Sequence, residues 1–179
     1  DDCLPDNSFF DYCSTMLDRY KNDKRVWHIN GFNPLSEITE QETYFFSLIP
    51  SVWGWATWRD RWKEYDVNII DYPNVRDHIL NNFPNKKLSK FWIHKFDNSQ
   101  NIDTWDYQWL FTVLNNNGLC TRPRVNLIQN IGFGENATHT KVNNEFITNL
   151  NTKSIDISNF IHPKSYVPRL DKDIELYYT

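Results

Sequence analysis

Two kinds of apolar pattern alternate along this chain, and together they restrict the fold class. Helical spacing of apolar residues covers five segments: 9–20, 58–65, 75–83, 86–96 and 104–115. Short apolar runs at 26–30 and 44–49 are bounded by turn residues or proline, which is typical of buried strands. The run 119–131, interrupted by Pro123, predicts one or two more strands. The alternation favours an α/β fold in which helices pack on a short mixed sheet.

Charge and composition restrict the partners. The 19 basic and 23 acidic residues give a net charge of -4, which argues against nucleic acid or anionic lipid as the main partner. No run approaches the roughly 20 apolar residues that a membrane span needs. Three separated cysteines without a CxxC pair favour reduced thiols in a cytoplasmic protein. We expect one domain over 1–140 and a C-terminal tail, 141–179, packed on it.

Asp1 and Asp2 form the first candidate site. Adjacent carboxylates suit Mg²⁺ or Mn²⁺, although acids before a proline turn commonly cap or face solvent. Because acids of this kind normally follow a strand inside a domain, we expect the chain to lack an upstream portion.

A tryptophan-rich segment, 53–62, is the second candidate, with four tryptophans in ten residues. Indole faces stack on the apolar faces of sugar rings, and Gly54 would allow close approach of a ligand to the backbone. Trp58 and Trp62 are four residues apart on a predicted helix, which favours core packing. Trp53 and Trp55 flank Gly54 in a predicted loop, where ligand contact and packing are both open.

Asp106 is the third candidate, in the first turn of the helix predicted over 104–115. The positive end of the helix dipole favours an ionised carboxylate there, and such a group can take a proton from a sugar hydroxyl. A capping role without chemistry is the alternative.

His139 is the fourth candidate, in a glycine-containing loop that begins at Gly132. A neutral imidazole can bind a metal, and the loop donors could hold diphosphate oxygens. An exposed histidine without a ligand is the alternative.

In their order along the chain, these four features resemble those of GT-A glycosyltransferases, particularly the family 2-like bacterial enzymes. The resemblance covers about residues 1–140. It implies that Asp1 and Asp2 match the end of the acidic motif that binds the metal and the donor diphosphate, with His139 completing the metal site. It also implies that Asp106 is the catalytic base, and that Trp53, Gly54, Trp55 and Trp105 line the acceptor site.

The implied function is inverting, metal-dependent transfer of a sugar from a nucleotide-sugar donor to an acceptor hydroxyl. The fold would be a partial GT-A fold, completed by a nucleotide-binding N-terminal half. The implied cofactor is Mn²⁺ or Mg²⁺, and the implied acceptor is a glycan or another hydroxyl compound. The alternative is a non-catalytic carbohydrate-binding domain that holds glycans with exposed tryptophans.

Overall fold

The computed structural model describes residues 2–35, 41–83, 85–101, 103–132 and 150–173, and it has a mixed α/β fold. The strands are β1 (Cys3–Pro5), β2 (Val26–Asn30), β3 (Tyr44–Ser47), β4 (Trp55–Ala56), β5 (Leu119–Pro123) and β6 (Ile128–Asn130). The α-helices are α1 (Ser8–Tyr20), α2 (Arg59–Trp62), α3 (Tyr72–Asn82), α4 (Lys86–Asp97) and α5 (Asp106–Asn115). Short 3-10 helices follow at Ser99–Asn101 and Ile157–Asn159. Among the helices of the described residues, none has both the length and the apolar character needed to cross a membrane.

The central sheet has the strand order β3-β5-β2-β4. Among its described strands, β2 and β5 form a parallel pair, while β5 pairs with β3 and β2 with β4 in the antiparallel sense. A second, two-stranded antiparallel sheet joins β1 to β6. The predicted short mixed sheet is therefore confirmed, whereas β1 was not predicted and β4 corrects the prediction of a loop at Trp55.

Two apolar clusters support the two sides of the site described below. One packs α1 against the sheet, around Tyr12, Met16 and Ile29, none of which is exposed to solvent. The other joins α3, α4 and α5 through side chains such as Ile79, Phe96 and Phe111. Burial of these side chains stabilises each cluster by roughly 1.5–3 kcal/mol per large apolar residue.

Arg61 anchors the tryptophan-rich segment to α1. Its guanidinium is buried and donates to the carbonyl oxygens of Tyr20, Lys21 and Asp23, at the C-terminal end of α1. A cation is favourable there because the carbonyls at a helix C-terminus carry partial negative charge. The Trp58 ring packs under this guanidinium and donates its indole N–H to Leu17 O. The core role expected for Trp58 is confirmed.

The described tail residues, 150–173, pack on the sheet. Leu150 and Ile155 belong to the α1 cluster, and Pro168 bridges to Phe46 on the outer side of β3. Arg169 N donates to Phe46 O at 2.7 Å in the same place. Asp173 is fully buried and accepts hydrogen bonds from Ser47 Oγ and Leu48 N. The tail therefore holds the C-terminal end of β3, from which the chain enters the site.

Candidate functional site

A cavity of about 230 Å³ lies between the 50–53 loop and the helices α4 and α5. The described residues of its wall are mainly apolar and aromatic and include one carboxylate: Phe32, Pro50, Ser51, Val52, Trp53, Trp92, Asp106, Tyr107 and Leu110. A concave apolar wall with a few converging polar groups is the usual form of a small-ligand site. We call this space the Asp106 cavity.

The carboxylate of Asp106 is held by two neighbours. Its Oδ1 accepts a hydrogen bond from Tyr107 N at 2.9 Å and another from the Thr104 hydroxyl. Among the described residues no donor reaches Oδ2, so this oxygen is the one available to a ligand. Burial raises the pKa of Tyr65, and the negative charge of nearby Asp106 raises it further. The two hydrogen bonds to Oδ1 orient the Asp106 carboxylate, and its half-buried position suits a proton acceptor.

Ser51, in the opposite wall, is fixed at three atoms by buried side chains. Asn30 Oδ1 accepts from Ser51 N, and His28 Nε2 donates to Ser51 O at 3.1 Å. Arg122 Nη2 donates to Ser51 Oγ at 3.0 Å. The same guanidinium also donates to Phe32 O and Ile49 O. Arg122 thus holds two segments that line the cavity, and the cavity shape depends on it.

The protonation state of His28 follows from its partners. The indole N–H of Trp109 donates to His28 Nδ1 at 3.0 Å, so the ring proton must be on Nε2, where it meets Ser51 O. Burial lowers the pKa of His28 to about 3, and the nearby Arg122 charge acts in the same direction. His28 is therefore neutral at pH 7.

We expect the stability of this fold to fall as the pH decreases from about 6.5 to 4.5, because the unfolded state can protonate His28 while the folded state cannot. The loss approaches roughly 2.7 kcal/mol at pH 4.5, about two units below the unfolded pKa, since each pH unit there corresponds to about 1.4 kcal/mol. Urea unfolding of wild type and His28→Gln over this range measures it.

The matched control is His162→Gln, because burial also lowers the pKa of His162, which is only half-buried. The slope of stability against pH should become shallower mainly in His28→Gln. Equal slopes in wild type and His28→Gln would contradict the assignment. The buried Asp173, whose pKa is raised by burial, is common to all three proteins and cancels in the comparison.

An aromatic cluster lies beside the cavity, built around Trp55. The Trp55 ring stacks on His28 at 5.0 Å and on Trp105 at 5.6 Å, measured between ring centroids. Trp62 stacks on Tyr65 at 4.7 Å with nearly parallel planes. Trp62 and Trp105 keep 40% and 43% of their surface exposed. The expectation that Trp62 belongs to the core is wrong, and Trp55 itself is held by packing within the cluster.

Gly54 has a structural role that differs from the expected ligand approach. Its φ of +58° lies in the left-handed region, and a Cβ there would meet Ile128 Cδ1 at 2.2 Å. The space beside its Cα is thus filled by β6. Gly54 O also accepts from Gly31 N at 2.8 Å. The glycine fixes the direction in which Trp53 and Trp55 leave the backbone.

Gly54→Ala is expected to destabilise the protein by roughly 2–4 kcal/mol, because it combines backbone strain with a steric clash. Thermal and urea unfolding measure this. Combining the change with Ile128→Ala should give less than additive destabilisation, since the smaller side chain removes the clash and leaves only the strain. Full additivity would contradict the contact between Gly54 and Ile128.

The other predicted residues lie elsewhere or outside the described chain. Asp2 is exposed beside Gly132, and its carbonyl accepts from Ile131 N, but it is not among the described residues that line the Asp106 cavity. Asp1 and His139 lie outside the described residues. Within the described ranges no three His, Cys, Asp or Glu side chains converge on a possible metal position. Of the predicted site residues, Trp53 and Asp106 are the two that line the Asp106 cavity together among the described residues.

Comparisons with protein-family models, with curated proteins and with solved structures found no match to this chain. Function is therefore inferred from the geometry of the site.

Trp92, Tyr107, Ser51 and Arg122 belong to the site but were not predicted. The indole N–H of Trp92 is buried and has no hydrogen-bond partner in the described part of the chain, although its ring lines the cavity. Tyr107 follows Asp106 directly, so its proximity to this residue follows from the sequence alone. Trp92 and Arg122 are distant in sequence, and only the packing of α4 and β5 places them here.

Proposed function

We propose that this chain is the acceptor-binding part of a GT-A glycosyltransferase, which transfers a sugar from a nucleotide-sugar donor to an acceptor hydroxyl. The observation that carries the proposal is the carboxylate of Asp106, the one acidic group that the described residues contribute to the wall of a mainly aromatic cavity. Aromatic walls suit the apolar faces of a sugar ring, and one oriented carboxylate suits removal of a hydroxyl proton. The mixed α/β fold is compatible with this assignment.

In the proposed inverting reaction, the acceptor hydroxyl donates a hydrogen bond to Asp106 Oδ2. As the hydroxyl oxygen forms its bond to the anomeric carbon, its proton passes to Asp106 and the bond from that carbon to the diphosphate oxygen breaks. The electron pair of the broken bond leaves with the nucleoside diphosphate. The two hydrogen bonds to Oδ1 fix the carboxylate during this step, so less reorganisation is needed in the transition state.

A divalent cation would be held by Asp2 together with Asp1 and His139, and it would supply neutralisation of the leaving diphosphate. Asp2 alone among these three lies within the described residues, and it provides one exposed carboxylate. Asp2 also lies next to Cys3, whose thiol contacts the backbone of Gly54, so this end of β1 adjoins the tryptophan-rich segment.

The test is release of nucleoside diphosphate from a panel of UDP-, GDP- and dTDP-sugars with Mn²⁺ or Mg²⁺, measured with the complete natural protein and a mixture of simple glycoside acceptors. We expect release from one nucleotide class that depends on both the metal and the acceptor. If a folded protein that binds glycans released no nucleoside diphosphate from any donor, the proposed glycosyltransferase activity would be contradicted.

The exposed surface of Trp62 and Trp105 favours a second candidate, a carbohydrate-binding domain without catalysis. Such a domain would bind glycans through these rings, and Asp106→Asn would leave its affinity unchanged. The donor panel separates the two functions, because a binding domain releases no nucleotide from any donor.

A further inference from the structure

A second cleft, of about 410 Å³, opens on another face of α5. Gln108, in the first turn of this helix, and Thr104, two residues before the helix begins, line the cleft, whereas Asp106 and Leu110, four residues apart on the helix, share the face that lines the Asp106 cavity. The cleft is lined by Val67, Asn68, Ser99, Asn101, Asp103, Thr104 and Gln108. We call it the Gln108 cleft.

Gln108 is the unusual residue of this cleft. Its side chain is only 3% exposed, and its Oε1 accepts no hydrogen bond from any described residue. A buried amide oxygen without a partner costs about 1–3 kcal/mol, so such a group is uncommon unless it meets a ligand or water. The neighbouring buried Ser99 differs, because its hydroxyl donates to Phe96 O at 2.9 Å. Among the described residues of the lining, Gln108 Oε1 is the buried side-chain polar atom that has no hydrogen-bond partner.

The chemistry of the lining restricts the ligand class. The described lining offers amides, hydroxyls and one carboxylate, Asp103, but no lysine, arginine or histidine, so it does not suit an anion. A single carboxylate is too few for a cation site. Neutral hydroxyl groups match amide and hydroxyl partners, because each can both donate and accept. The lining therefore favours a polyhydroxyl ligand.

Thr104 connects the Gln108 cleft to the Asp106 cavity. It lines the cleft, and its hydroxyl donates to Asp106 Oδ1. Trp105, between these two residues in sequence, presents an exposed ring beside them, next to Trp62. A chain of sugar rings could therefore contact Asp106, the exposed indoles and the Gln108 cleft in succession.

We propose that the Gln108 cleft is a second sugar subsite, which binds a distal unit of an oligosaccharide acceptor whose reacting unit lies at Asp106. The inference rests on the proposed function for the identity of the reacting unit, but its own evidence is the cleft, the buried amide and the exposed aromatic rings. The acceptor is then an oligosaccharide and not a single sugar.

The experiment measures binding to an array of defined neutral oligosaccharides, together with the methyl glycosides of their terminal sugars. Titration of the best oligosaccharide and its methyl glycoside follows, with wild type and Gln108→Leu. We expect wild type to bind the oligosaccharide at least about tenfold more tightly than the methyl glycoside, and Gln108→Leu to lose this advantage with little change for the methyl glycoside. Gln108→Glu keeps an acceptor oxygen and serves as the matched variant; it should retain part of the advantage.

The proposal would be overturned if wild type and Gln108→Leu preferred the oligosaccharide over the methyl glycoside by the same factor. It would also be overturned if wild type bound the two ligands equally tightly. Circular dichroism and thermal unfolding verify that Gln108→Leu is folded; if it is not, loss of the advantage in Asn68→Ala, an exposed lining residue, makes the same test. Failure of the proposed function has a different signature: a length advantage that depends on Gln108, with no nucleotide release from any donor.

Discussion

Asp106→Asn is expected to reduce sugar transfer by on the order of 10² to 10⁴ in rate while leaving the fold intact. Asparagine keeps the size of the side chain, and its Oδ1 can still accept from Tyr107 N and the Thr104 hydroxyl. It cannot accept the proton of the attacking hydroxyl. Steady-state kinetics with the donor identified by the panel, together with urea unfolding, measures both effects. Turnover close to that of wild type would remove Asp106 from the role of base.

Asp2→Asn provides the contrasting variant. Under the proposed function it removes a carboxylate oxygen from the metal, so we expect weaker metal-dependent donor binding and a higher metal requirement. Asp106→Asn should instead leave donor and metal binding nearly unchanged. If both variants showed the same defect, the assignment of base and metal ligand to different residues would be wrong.

Arg122→Met is expected to destabilise the protein by roughly 3–5 kcal/mol, the largest change in stability predicted here. Methionine fills part of the volume but donates no hydrogen bond, so Phe32 O, Ile49 O and Ser51 Oγ each lose the hydrogen bond that the guanidinium donates. The nearby buried Asp173 also loses the positive charge that favours its ionised form. Urea unfolding of wild type and variant gives the difference.

Arg59→Met is the control, because Arg59 is exposed and its replacement should change stability by no more than about 0.5 kcal/mol. The variant Arg122→Lys tests whether the charge alone is sufficient. Lysine keeps the positive charge but cannot donate to the same three acceptors with the geometry of a guanidinium. We expect Arg122→Lys to be destabilised nearly as much as Arg122→Met. Equal stability of wild type and Arg122→Met would show that the guanidinium does not hold the cavity wall.

Much of the fold could be predicted because local pattern determines the longer elements. The strand β2 matches its predicted bounds, and α1 and α4 match within a residue, since their apolar spacing is regular and their ends carry turn residues. The strands β1 and β4 could not be predicted, because elements of two or three residues carry no periodicity and exist only through pairing with β6 and β2. Pairing between distant segments is a tertiary property.

The candidate site was predictable only where neighbours in sequence form it. Asp106 was found from its position at the start of a helix, and Trp53 from the unusual density of tryptophan. The exposure of Trp62 could not be predicted, because helical spacing alone does not show which face of α2 meets solvent. Arg122 follows a cysteine and a threonine in a strand, and nothing local distinguishes it from a surface arginine.

The bridge between Pro168 and Phe46 has a consequence for the behaviour of the protein in solution. β3 is an outer strand of the central sheet, rich in aromatic residues, and an uncovered strand of this kind offers free backbone groups to other molecules. The tail uses one of these groups, because Arg169 N donates to Phe46 O, and Pro168 itself offers no N–H to a further strand. We therefore expect the tail to protect β3 against edge-to-edge pairing, and proteolytic removal of the chain from residue 163 onward should increase self-association through β3.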